Sequence, residues 1–143
     1  MKKRKLFFYL FIALSIILGG KLYMDNKQLQ KEMVTVVKSD EAKKIFEEGL
    51  RNLDPNALTP EGVIQSYKID YDSIKHNPMG GIDVTLYVNN DEELYVYSSL
   101  NKWDNELTGG GGGYSSKLDT KLKEKVNMTR KLNGQQHVDL ARK

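Results

Sequence analysis

The sequence holds no cysteine, three prolines, two histidines and a single tryptophan in 143 residues. Without cysteine there are no disulfides, no thiolate zinc or iron–sulfur centres and no cysteine nucleophile. The histidines, His76 and His137, stand far apart, so neither an H-x-x-x-H pair nor a His/carboxylate cluster is present. No serine–histidine–acid set can be assembled. The adjacent carboxylates Glu47/Glu48 and Glu92/Glu93 read as solvated charge rather than acid–base machinery. No catalytic constellation, cofactor or metal is therefore expected, and the chain reads as no enzyme.

Net charge is small, but it is unevenly distributed along the chain. The net charge of +3 divides into four positive charges at Lys2–Lys5 and a body, residues 21–116, with ten Lys/Arg against sixteen Asp/Glu. The segment 117–143 then holds eight against three. An acidic body argues against nucleic acid as a partner.

One long hydrophobic run is present. Leu6–Gly20 (LFFYLFIALSIILGG) carries no charge, and Leu22, Tyr23 and Met24 extend it past Lys21. Residues 6–24 approach the roughly 20 helical residues that a bilayer core takes, with Lys21 snorkelling to the headgroups. Small residues at the positions a signal peptidase requires are missing: Gly20 would pair with Leu18, and Gly19 with Ile17. Residues 1–24 are thus expected to be an uncleaved signal anchor. The basic cluster would keep the N-terminus cytoplasmic and place the rest outside the plasma membrane.

Residues 25–38 follow as a juxtamembrane stalk, with Leu29, Met33 and Val36/Val37 at helical spacing. Residues 39–126 read as a small α+β domain. Ser39 and Asp40 offer N-caps to an amphipathic helix whose apolar stripe is Ala42, Ile45, Phe46, Gly49, Leu50 and Leu53. Gly49 weakens such a helix, so close approach of a neighbour is expected there. Asp54-Pro55-Asn56 stops it. From Val63 the period becomes two. Three antiparallel strands are predicted, separated by the turn at His76–Gly81 and a tight hairpin at Asn89-Asn90-Asp91. One face is aliphatic and the other carries Tyr, Thr and charge. The amphipathic helix is the expected cover of the aliphatic face.

The five glycines Gly109–Gly113 read as a flexible loop into a last helix capped by Ser115 or Ser116. The P-loop spacing G-x-x-x-x-G-K-[ST] is absent, since Tyr114 and Ser115 stand where Gly and Lys belong. The helix carries Leu118, Leu122 and Val126. Residues 127–143 are expected to form a basic, flexible tail.

Three side-chain sets remain as candidates. Tyr87, Tyr95 and Tyr97, with Trp103, form an aromatic sheet face of the kind binding patches use. His76, Asn77, Pro78 and Met79 in the "KHNPMGG" turn, and Tyr114 and Ser115 after the glycines, lie at positions where loops can join that surface. The alternative is a cell-envelope enzyme or metal-dependent hydrolase using His76, Asp70 and Asp72. A third possibility is a membrane-surface effector acting through anchor and basic tail.

The segments "KSDEAKKIFEEGL", "YKIDYDSIKHNPMGGIDVTLYVN" and "GGGGYSSKL" resemble a family of small membrane-anchored proteins of Gram-positive bacteria, catalogued as domain of unknown function 1310. The resemblance runs from about residue 1 to residue 126. It implies a cell-envelope location and a small α+β ectodomain, and it supplies no catalytic residues. The reading is a non-catalytic binding or interaction module at the membrane, of immunity or accessory type, whose partners are the lipid bilayer and an unidentified envelope protein.

Overall fold

The computed structural model describes residues 2–104 and 106–140, with side chains from Tyr9 to Leu132 apart from position 105. The side chains of Lys2–Lys5, the first three residues of the apolar run and His137, Arg142 and Lys143 lie outside that set. The chain order is α1 (Lys2–Val37), α2 (Asp40–Leu53), β1 (Tyr67–His76), β2 (Ile82–Val88), β3 (Asp91–Trp103), β4 (Glu106–Gly109) and α3 (Ser116–Leu140).

Anchor and stalk segments are one unbroken helix, α1. Leu10, Phe11, Leu14, Ile16, Ile17 and Leu18 are all exposed, so apolar side chains surround this part of α1 instead of forming a stripe. Among the described residues no helix is long and apolar enough to cross a membrane. The apolar run begins at Leu6, ahead of the first described side chain. The far end of α1 behaves differently. Met33 and Val37 are buried in the hydrophobic core.

Only a kink of two residues separates α1 from α2. The Ser39 hydroxyl accepts from Ala42 N–H at 3.1 Å and so caps α2. Ala42, Phe46 and Leu50 are buried, as the apolar stripe requires. Gly49 departs from expectation. No heavy atom lies within 4 Å of where its Cβ would stand, so no close approach explains it.

The sheet has four antiparallel strands in the order β1-β2-β3-β4, one more than the period-two pattern shows. Asn89 and Asn90, with φ of 54° and 57°, both occupy the left-handed region, which gives β2 and β3 the tight hairpin turn that matches strand twist. Val84, Leu86 and Val88 of β2 and Leu94, Val96 and Leu100 of β3 are buried under α1 and α2.

The added strand, β4, leads directly into the glycine run, which is no slack loop. β4 ends in Gly109, and the next glycines stay on β3. Gly110 N–H donates to Ser99 O at 2.7 Å, Gly113 O accepts from Tyr97 N–H at 2.6 Å, and Tyr114 bridges Val96. A Cβ on Gly112 would overlap the Tyr97 carbonyl. Glycine is needed because backbone lies against backbone here.

The last helix also runs further than its composition shows. α3 passes Asn127 without a break and continues to Leu140, where a flexible tail is expected from the sequence. Leu118, on its first turn, completes the core.

Candidate functional site

All three helices' buried contacts lie on the aliphatic side of the sheet, so its other face is open. Register sets what that face displays. Tyr87 pairs with Tyr95, Thr85 with Tyr97 and Asp83 with Ser99. Residues directly opposite share a face, so the three tyrosines stand together, as alternation predicts. The Tyr95 and Tyr97 rings are 5.0 Å apart and inclined at 59°. Tyr97 is 53% exposed. The Tyr87 hydroxyl donates to Asp70 Oδ2 at 3.1 Å, a bond that raises its pKa above the ordinary phenol value.

Beside Tyr97 lies a depression of about 580 Å³ lined by Ser73, Lys75, Asp83, Thr85 and Ser99. It exists because β1 bulges between Asp70 and Lys75. Ser73 occupies the gap. Its hydroxyl donates to Asp70 O at 2.7 Å and accepts from Thr85 N–H at 2.8 Å, replacing a lost ladder bond. Asp83 accepts from Asn77 Nδ2 at 2.9 Å and from Ser99 Oγ at 2.7 Å. Those two bonds hold its carboxyl below the ordinary range, so it is ionised. The depression thus offers a fixed carboxylate, an ammonium, hydroxyls and a phenol ring.

The bulge also separates residues that sequence spacing places together. Asp70 pairs with Thr85 on the open face, whereas His76 pairs with Ile82 and lies on the helix side. His76, Asp70 and Asp72 therefore do not converge. Among the described residues no group of three or more His, Asp or Glu is placed to hold a metal.

The remaining candidates are dispersed. Asn77 shapes its own turn, its Oδ1 accepting from Met79 N–H and Gly81 N–H, each at 3.0 Å. Pro78 and Met79 are exposed at the tip of that turn. Trp103 is exposed at the far end of β3. Tyr114 lies on the helix side, in a groove with Leu53, Leu122 and Val126. Ser115 is buried and structural. Its hydroxyl accepts from Leu118 N–H and Tyr95 N–H, joining the start of α3 to β3.

One buried carboxylate has no sequence signal beyond its place at a helix stop. Asp54 is 3% exposed, and accepts from Asn56, Val63 and Ile64 N–H groups while pairing with Lys125 Nζ at 3.4 Å. Burial pushes its carboxyl up, but those backbone donors and Lys125 outweigh burial and hold it below its ordinary value. Asp54 organises the connection from α2 to β1 and ties it to α3.

No curated protein and no solved structure matches the chain. A family model does, over residues 5–122, which takes in α1 from its fourth residue, α2, the whole sheet, the glycine segment and the first turns of α3. That family is described as "Protein of unknown function (DUF1310)", and the chain belongs to it.

Proposed function

We propose that the protein is a non-catalytic binding module, held at a membrane by the N-terminal part of α1, with its open sheet face turned to an envelope partner. The observation that carries the binding reading is the uncovered face itself. Three tyrosines, an ionised Asp83 and the bulge depression lie on rigid strands with no helix over them. Rigid aromatic side chains give contact area at low entropic cost. The separation of Asp70 from His76 removes the main support for a hydrolase.

The tether reading rests on α1. A helix apolar on all sides belongs inside a protein core or a bilayer. Here Phe11, Ile16, Ile17 and Leu18 are covered by nothing in the fold. The basic cluster ahead of them fits the cytoplasmic side, which would put the sheet domain outside.

Photo-crosslinking in intact cells tests the binding reading. A crosslinking residue at Tyr97 should yield a discrete adduct, while one at exposed Lys44 on α2 should not. Equal labelling from both positions, or none from Tyr97, overturns it. Protease treatment of intact cells carrying a C-terminal tag tests the topology, and a protected tag would reverse it.

A further inference from the structure

The fold requires glycine at only three of the five positions in the glycine run. A Cβ on Gly110 would meet Asn101 and Ser99, one on Gly112 the Tyr97 carbonyl, and one on Gly109 the side chain of Ile45. Gly111 and Gly113 have no such reason. No heavy atom stands within 4 Å of where either Cβ would be, and neither residue has the left-handed backbone that favours glycine. Gly49 on α2 is equally open.

Gly49 and Gly111 come level with one another. Glu41, Ile45, Gly49 and Leu53 recur every four residues and so form one row on α2. Glu41 Oε1 accepts from Leu107 N–H at 3.0 Å, Ile45 lies against Gly109, and Leu53 shares a groove with Tyr114. α2 therefore runs alongside β4 and the glycine segment in the same direction. From Ile45 to Gly49 the helix rises about 6 Å, and from Gly109 to Gly111 an extended chain advances about 7 Å. Both glycines are exposed, so the edge carries no side chain from either element at that level. It is also the unguarded part of the sheet's rim. The β1 edge has its bulge and the charges of Lys68, Asp70, Asp72 and Lys75, and the Leu107 N–H of β4 is taken by Glu41, devices that discourage pairing. Among the described residues nothing bonds the N–H groups of Gly111, Gly112 and Gly113 or the carbonyls of Gly110, Gly111 and Gly112.

We infer that this edge takes a fifth strand: an extended segment of another polypeptide, held by its backbone. Free donors and acceptors along a sheet edge are what a peptide strand matches with its own. Glycine at 111, 113 and 49 leaves the approach clear to the ordinary strand spacing of about 4.8 Å. The paired positions of the segment exclude proline, which has no N–H to donate. A second copy of this chain does not suit the edge, a choice that rests on the tether reading above. Identical edges pair antiparallel about a two-fold axis normal to the sheet. α1 lies along the sheet through Gln30, Met33 and Val37, so that axis would point two α1 helices in opposite directions, away from a common bilayer. The added strand lies at the rim of the sheet and is a contact separate from the tyrosine face.

A displayed library of random linear peptides, selected against the full chain in detergent micelles, supplies the probe. Selected peptides should bind the parent and Tyr97→Ala alike, and should lose about tenfold or more in affinity for Gly111→Leu and for Gly49→Leu. Neither leucine's Cβ meets a neighbour in the free chain, and thermal melts check that both variants fold. Gly111→Ala, the smaller change, carries the test if a leucine variant does not melt cooperatively. N-methylation of the peptide at alternate residues should weaken binding about tenfold per lost bond, while methylation of the residues between should not. Selection of no peptide overturns the inference, as do peptides that bind every variant equally or tolerate N-methylation throughout. Peptides lost only in Tyr97→Ala belong to the open face; they would remove the fifth strand and leave the binding reading standing. A parent chain that sediments as a dimer, with Gly111→Leu a monomer, would also overturn it, since the edge would then hold a second copy.

Discussion

The two faces of this sheet are made from alternate residues of the same strands, yet they differ in what they do. The covered face, with Leu86 and Val96 beneath α1 and α2, is apolar and closed. Its partner, with Thr85, Tyr87, Tyr95 and Tyr97, is polar, aromatic and open. Stability is concentrated on one side, and the recognition surface proposed above lies on the other. Substitutions on the open face should therefore change binding with little effect on folding.

The sharpest break of that comparison is a pair. Leu86→Ala removes a fully buried side chain and should cost about 2–5 kcal/mol. Tyr97→Ala should cost less than about 1 kcal/mol, mostly the lost contact with Tyr95. Urea denaturation of both variants measures the gap, and equal losses would refute the division of labour. Gly112→Ala comes next, at about 1–3 kcal/mol, because its methyl group would push the edge segment off β3. A neutral result there would mean that the glycine run does not pair as described.

Asp54→Asn should destabilise by about 1–3 kcal/mol at neutral pH, since Val63 and Ile64 N–H groups lose their carboxylate. The sign with pH follows from its depressed pKa. The contribution is complete above the ordinary carboxylate value of 3.8 and is lost as pH falls through the lower folded value. Asp83, on the open side, is depressed in the same direction. Acid titration of stability should thus be shallower in Asp54→Asn than in the parent, but not flat. The last effect has the opposite sign. Gly49→Ala should raise stability by about 1 kcal/mol, because the helix gains a better former and the site is open. A thermal melt that moves downward instead would reveal a neighbour at that position.

Local pattern made much of this legible. The stripe of α2 and the alternation of β2 follow from periods of 3.6 and two, and the Asn89-Asn90 turn from asparagine's tolerance of left-handed backbone. The grouping of Tyr87, Tyr95 and Tyr97 follows from the same alternation. What escaped is non-local. Glu106–Gly109 looks like loop because it is four residues long and runs into glycines, which have little intrinsic strand preference, and only pairing with β3 makes it a strand. The bulge at Asp70–Lys75 cannot be seen in a hydrophobic pattern, although it decides that His76 faces away from Asp70. Asp54 and Ser115 read as ordinary stop and cap residues. Their further partners, Ile64, Lys125 and Tyr95, are brought in by the tertiary fold. α3 outruns its apolar stripe because no proline interrupts the residues after Asn127.

The continuity of α1 has a mechanical consequence. A helix without a break is a rod with no slack, and this one ends with Met33 and Val37 inside the core. Whatever grips its far end grips the fold itself. A pull along the rod would load the bond between Gln30 and the Ile74 carbonyl and then the buried Met33 and Val37. A twist of the rod would turn Met33 against the sheet. The domain is thus built so that torque or tension at one end is felt in its centre.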